Sequence, residues 1–354
     1  MAGLERAERA ILAAIAVAGV LAGVARYAHG VSQVLAFALA TLALAGLAWV
    51  VSFSTEQVGR RFNPAITGLM QSTVGNLPEF FVVIFALQAG QRIVAETAIL
   101  GSILVNALLV LGLVIVAGAR RKPDGVMRFS PQLPNDTATL LLISSFIIVL
   151  VGLANSAHDA ASHHIETISI VGAIAILGVY GIWLRQYLRS QDAEASEDTE
   201  PPRVSIAVST VLLVIAGTGS AFVSDWFVHA LQPTIHTLHI SQAFAGLVIV
   251  AIAGNAVENV AGIVLAAKGR SELAISVVKN SVAQIAAFLY PVLVLVSLLT
   301  ATTLTFALAP VYIGALFGTA VIVWQVTGDG EATVFEGVAL VATFVILATV
   351  AAFE

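Results

Sequence analysis

Two glutamates occupy the most demanding positions in this chain. Glu79 and Glu258 sit in one motif written twice, Gly75-Asn76-Leu77-Pro78-Glu79 and Gly254-Asn255-Ala256-Val257-Glu258, the two acids being spaced by 179 positions. Each lies in a long apolar stretch, where an ionised carboxylate is unfavourable unless something compensates its charge. The same shift of 179 residues lays Ser102 onto Ser281 and Gly90 onto Gly269, and brings Asn106 to within one place of Gln284. The repeated unit is therefore a pair of apolar segments. The first carries Gly-Asn-x-x-Glu, and the second carries a hydroxyl followed shortly by an amide. Duplicated acids in such surroundings point to an ion-transport site.

The neighbouring residue types narrow the ion. Gly75 and Gly254 weaken a helix just before each acid, and Pro78 removes a backbone donor beside Glu79. A broken helix frees backbone carbonyls, which are tolerated at membrane depth where they line a polar cavity. With Asn76, Asn255, Ser102, Asn106, Ser281 and Gln284, the two carboxylates make an all-oxygen environment. Hard oxygen ligands with two negative charges suit Ca²⁺, whose coordination tolerates irregular geometry, better than Mg²⁺, which dehydrates reluctantly. Soft metals are disfavoured because the chain has no cysteine, and Met70 and Met127 are isolated. Taken singly, each Asn, Ser or Gln reads as a packing hydrogen bond between helices. Recurrence beside duplicated acids favours the site instead. For Glu79 and Glu258 the plain alternative is a permanently protonated or paired acid. Lys279 lies two positions before Ser281, about 200° round a helix from it. It is expected to face away from the site and reach the interface near Glu272.

The elements that must position these residues are membrane helices. Apolar residues make up 59% of the 354-residue chain and charged residues 10%, and the mean hydropathy is +0.98. Those values exclude a soluble globular protein and indicate a polytopic all-α membrane protein. Eleven hydrophobic segments are marked: Ala10–Tyr27, Val31–Phe53, Pro64–Ala89, Ile93–Ala117, Thr137–Ala154, Thr167–Tyr187, Val204–Leu231, Gln242–Ala267, Leu273–Leu299, Phe306–Trp324 and Ala332–Phe353. Ile11 to Ala25 reads as a retained helix, because acids flank it and no small-residue cleavage site follows. The second to sixth segments fall onto the seventh to eleventh under the 179-residue shift. The expected organisation is an N-terminal transmembrane helix (1–30), a first five-helix repeat (31–187), an acidic cytosolic linker (188–203) and a second five-helix repeat (204–354).

Basic residues set the orientation. With the N-terminus inside, thirteen Lys and Arg fall on the cytoplasmic side, against Arg26 and Arg92 outside. This supports an N-terminus in the cytoplasm and a C-terminus outside; the membrane expected is the cell (inner) membrane. An odd number of helices per repeat inserts the two copies in opposite senses, so the repeats are inverted and their site is expected near the midplane. The linker, Gln191 to Glu200, carries five acids without the spacing of a Ca²⁺-binding loop. All seven histidines fall on the expected outer side or its loops.

These residues resemble the cation/Ca²⁺ exchanger superfamily, most closely its Ca²⁺/H⁺ exchanger branch. The resemblance covers Val31–Glu354 and is most specific in Gln71-Ser72-Thr73-Val74-Gly75-Asn76-Leu77-Pro78-Glu79 with Gly101-Ser102-Ile103-Leu104-Val105-Asn106. It is matched by Ala253-Gly254-Asn255-Ala256-Val257-Glu258 with Asn280-Ser281-Val282-Ala283-Gln284. It implies ten core helices in two inverted repeats plus one N-terminal helix. It also implies Glu79 and Glu258 as shared Ca²⁺ and proton sites, flanked by the six polar residues named above. Gln71, Asn259 and Asn280 depart from the branch, which usually carries Asn, often His, and commonly Gly at those places. The expected activity is export of cytosolic Ca²⁺ against H⁺ by a secondary antiporter, not an enzyme and without a cofactor. Ca²⁺, H⁺ and the lipid bilayer are the expected partners, with no nucleic acid. A Na⁺/Ca²⁺ exchanger is the alternative within transport, and a divalent cation channel the alternative from another class.

Overall fold

The structure, a computed structural model, describes residues 4–59, 61, 74–194 and 202–354, and leaves out the side chains of 59, 188, 190–194, 257 and 258. The apolar segments form helices, since a backbone in lipid must satisfy its own donors and acceptors within the segment. We label them α1 (Arg6–Tyr27), α2 (Gln33–Gly59), α3 (Leu77–Gln88), α4 (Arg92–Ala119), α5 (Gln132–Ser156), α6 (Ile165–Glu194) and α7 (Ile206–Leu238). Then come α8 (Gln242–Gly254), α9 (Ala256–Ala267), α10 (Ser271–Ser297), α11 (Pro310–Thr327) and α12 (Val334–Ala352). Two short strands, β1 (Val126–Arg128) and β2 (Glu331–Thr333), pair antiparallel with Met127 opposite Ala332.

Among the described residues, nine helices are long and apolar enough to cross a membrane. The bent pair Gln242–Gly254 and Asn259–Ala267, which turns by 59°, makes a tenth if it is counted as one span. The third expected segment appears in its second half only, as α3; residues 62–73 lie outside the described residues. Some boundaries differ from expectation for local reasons. α11 starts at Pro310 rather than Phe306, because proline is favoured in a helix's first turn. α7 continues through Pro233 to Leu238 instead of stopping at Leu231. The acidic linker is entered by α6, which runs to Glu194, and residues 195–201 lie outside the described residues.

The chain divides into two compact units. One comprises Met1–Ala89 and Gly181–Ile240, the other Gly90–Tyr180 and Ser241–Glu354. In the first unit α2 lies against α7, with the Phe37 and Phe227 rings 4.8 Å apart between centroids and Thr234 Oγ1 donating to Gln33 O at 3.3 Å. α1 closes onto α2 at Gly46, where a Cβ would stand 2.6 Å from Ile15. At the other end of these helices Gln57 Oε1 accepts from the Arg203 backbone N–H at 3.1 Å. The Arg203 guanidinium pairs with Glu5 and, at 3.1 Å, with Glu8.

In the second unit the loops sort cleanly to two ends. Arg128 bridges Asp124 at 2.6 Å and Glu331 at 3.0 Å across the β1–β2 pair. The Arg128 hydrogen bond holds the Asp124 carboxyl below its usual range. Ser130 N–H donates to Glu272 at 2.8 Å, and Arg121 donates to Ala267 O at 2.6 Å. The segments after α4, after α9 and after α11 therefore share one end. At the opposite end Arg92 reaches Thr305 at 3.4 Å, and Ser241 Oγ donates to Ala351 O.

Candidate ion-binding site

The repeated Gly-Asn is a repeated backbone break. Asn76 has φ −94° and ψ 17°, and Asn255 has φ −99° and ψ 11°. Both lie in the sparsely populated region between helix and strand, where functional residues concentrate. Each Asn caps a new helix of 12 residues, α3 and α9. The Asn76 carbonyl accepts from Phe80 N–H and the Asn255 carbonyl from Asn259 N–H, both at 3.0 Å. Glu79 and Glu258 stand at the third position of these helices, where free N–H groups and the positive end of the helix dipole favour a negative charge. Pro78, at the second position, costs no intrahelical bond there. Glu79 is half-buried, whereas the Glu258 side chain lies outside the described residues. Asn76 is buried, and its Nδ2 has no acceptor among the described residues.

Four of the remaining expected residues meet in the second compact unit. Asn106 Nδ2 donates to Asn255 Oδ1 at 3.0 Å and to Ser281 Oγ at 3.2 Å. Asn255 Nδ2 donates to Ser102 Oγ at 2.9 Å and to Ala251 O at 3.0 Å. All four side chains are at most 3% exposed. Ser102 and Asn106 come from α4, Asn255 from the α8–α9 break and Ser281 from α10, so both sequence repeats contribute. Gln284, half-buried at the end of the regular part of α10, makes no side-chain hydrogen bond among the described residues. The amide donors are used up in holding the cluster together. What the cluster offers a cation is neutral oxygen beside the turn that bears Glu258.

Three widened π-type turns surround the cluster: Val105–Val110 in α4, Ala245–Val250 in α8 and Ile285–Leu289 in α10. Such turns recur at functional sites because the extra residue re-aims neighbouring side chains. Those in α4 and α10 coincide under the repeat, and the one-place slip between Asn106 and Gln284 falls at them. Close backbone packing brings the cluster together. A Cβ on Gly101 would overlap the Leu247 carbonyl oxygen, and one on Gly246 would overlap Thr97 Oγ1. α4 and α8 thus touch backbone to backbone one residue before Ser102.

Sequence reasoning missed two features. Asn259, noted as a departure, is buried with its Oδ1 unpartnered among the described residues, one place after Glu258. Its adjacency to the acid was the available signal. Lys279 corrects the expectation made for it. It faces away from the cluster, as expected, but it is buried and its partner is not Glu272. It is 1% exposed, and its Nζ donates to Thr327 Oγ1 at 3.1 Å. Thr327 ends α11, so the Lys279 amino group sits at the negative end of that helix dipole. Glu272 is engaged by Ser130 N–H.

The chain is similar to known proteins over nearly its whole length. The family model described as sodium/calcium exchanger protein matches residues 32–185 and 208–353. The vacuolar calcium ion transporter of Schizosaccharomyces pombe is 31% identical over 88% of this chain and 77% of its own length. The Ca²⁺/H⁺ antiporter ChaA of Bacillus subtilis is 30% identical over 90% of this chain and 92% of its own. The solved structure of native YfkE superposes with a TM-score of 0.80 at 26% identity, covering 97% of this chain and 99% of that one. The membrane helices, their repeat and these matches lead to one assignment: the chain belongs to the sodium/calcium exchanger protein family, and is a membrane transporter rather than an enzyme.

Proposed function

We propose that this protein is a secondary antiporter that exports cytosolic Ca²⁺ in exchange for H⁺, with both ions competing for Glu79 and Glu258. The observation that carries this reading is the matched pair of helix breaks, each placing a glutamate in the first turn of a new half-helix. The relatives named as Ca²⁺/H⁺ antiporters support the choice of ions. Removing an ion from a doubly ionised site in a low-dielectric cavity is unfavourable, so the empty site rarely crosses the membrane. Either Ca²⁺ or protons must load it. That exclusion couples the two fluxes without ATP, and two acids give at least two protons per Ca²⁺. Ser102, Asn106, Asn255 and Ser281 supply or position neutral oxygens, with Asn76 and Gln284 in the same role.

In this reading the N-terminus is cytoplasmic and the C-terminus outside, in the cell membrane, so the Arg121, Glu272 and Arg128–Glu331 end of the second unit faces the cytosol. The four stretches 1–30, 31–187, 188–203 and 204–354 act as an added helix, two inverted repeats and their linker. Glu79→Gln and Glu258→Gln keep side-chain shape but neither ionise nor exchange a proton. Each is expected to abolish Ca²⁺ transport in proteoliposomes while the purified protein keeps its thermal transition. Normal exchange by either variant removes that glutamate from the mechanism.

A further inference from the structure

The first compact unit holds a groove unlike the ion site. It runs between α1 and α7 over α2, has a volume of about 1300 Å³, and is lined by apolar side chains with one exception, Arg9 at one end. The groove is open rather than enclosed, so components of the bilayer can reach it. Arg9 Nε donates to Leu4 O at 3.1 Å, the one hydrogen bond of this guanidinium among the described residues. Its two Nη groups are left as a planar fork of the kind that pairs with phosphate. From Arg9 the floor passes Ala16, Gly19 and Ile215 to Gly219 and Trp226. The helical rise from Arg9 to Gly23 is about 21 Å, more than the ~15 Å half-thickness of a bilayer's hydrocarbon core.

We infer that this groove binds one anionic phospholipid, its phosphate on Arg9 and an acyl chain laid along α1 toward Trp226. A neutral apolar occupant would leave the guanidinium facing a chain that cannot pair with it. A second copy of this protein would be worse. Copies inserted in the same sense, meeting symmetrically through this face, would bring Arg9 beside Arg9 of the other copy, where like charges repel. A phosphate at a helix-borne arginine with a chain in an apolar furrow satisfies both ends at once. The Arg9 end also carries Arg61, which donates to Val204 O, while Arg203 there is paired with Glu5 and Glu8; in the orientation proposed above this end meets the leaflet whose surface is negative. The inference rests on the membrane reading and is independent of which ions are exchanged.

The test is native mass spectrometry of the purified full chain in detergent, with phosphatidylglycerol or phosphatidylcholine added. One phosphatidylglycerol per chain should be retained, at least tenfold over phosphatidylcholine. Arg9→Gln should erase that preference, while Arg6→Gln, which removes the same charge from the same turn but does not line the groove, should keep it. Gly19→Phe should displace either lipid, since nothing lies within 4 Å of a Cβ built there and the ring has open space to enter. Equal retention of the two lipids overturns the inference. So does equal loss from Arg6→Gln and Arg9→Gln, and so does a lipid-free dimer that Gly19→Phe disrupts.

Discussion

Asn255 does three things at once. It ends α8, its carbonyl starts α9, and its side chain joins Ser102, Asn106 and the Ala251 carbonyl. Asn255→Ala therefore leaves buried donors and acceptors on two helices unpaired, at a cost of about 1–2 kcal/mol. Thermal unfolding in detergent should show the loss together with impaired Ca²⁺ transport. Ser102→Ala removes one acceptor while Asn255 Nδ2 keeps Ala251 O. It is expected to raise the Ca²⁺ concentration needed for half-maximal flux several-fold with little change in the maximal rate. A silent Ser102→Ala would return this hydroxyl to a packing role. The candidate residues were legible in the sequence because type and spacing repeat, and an acid in an apolar run must be compensated. Lys279 was legible only in part. Helical geometry fixed the direction it faces, but not that the end of α11 would stand there to receive it.

Elements carry the geometry that no single residue type announces. A π-type turn differs from its neighbours by one hydrogen-bond step, and nothing in Val105–Val110 or Ile285–Leu289 marks it by composition. Only the one-place slip between Asn106 and Gln284 hinted at it. The helix breaks were legible for the opposite reason, since Gly followed by Asn, with Pro78 in one copy, weakens a helix locally. Where two helices touch depends on glycine. Gly101→Val would drive α4 from α8 at the Leu247 carbonyl, and overpacking of this kind costs about 1–3 kcal/mol. Gly178→Ala, with nothing within 4 Å of the added Cβ, is the control and should unfold like the parent. If Gly101→Val also unfolds like the parent and transports normally, close contact of these helices is not what assembles the cluster.

At the scale of the whole molecule, hydropathy gave the helical class and the repeat gave the pairing of segments. The grouping of the chain into compact units was not legible, because each unit draws on both halves of the sequence. Sidedness is open to direct test, since the chain contains no cysteine and any that is introduced reports alone. Residues 121 and 329 belong to loops at the β1–β2 end of the second unit, whereas 163 precedes α6 at the far end of α5. Arg121→Cys and Asp329→Cys should be labelled by an impermeant maleimide from the cytoplasmic side only, and His163→Cys from the outside only. The reverse pattern would invert the proposed orientation while leaving the fold as described.

The counter-ion decides the central claim. A sodium exchanger must give several dehydrated ions their own oxygen cages, whereas protons need only carboxylates whose ionisation the site can shift. Here each glycine of the break is followed by Asn76 or Asn255, with no adjacent hydroxyl, and in the second unit Asn106 and Asn255 already spend their amide donors on Ser102, Ser281, each other and Ala251 O. The measurement is ⁴⁵Ca²⁺ uptake into inverted membrane vesicles, first under an imposed pH gradient without Na⁺, then under a Na⁺ gradient with pH clamped equal on both sides. Proton-driven uptake in sodium-free medium, abolished in Glu79→Gln and Glu258→Gln, with little uptake under the clamp, is the result expected. Robust sodium-driven uptake at equal pH would contradict the proton assignment and establish a Na⁺/Ca²⁺ exchanger in its place, and flux that dissipates with no counter-ion gradient would indicate a channel.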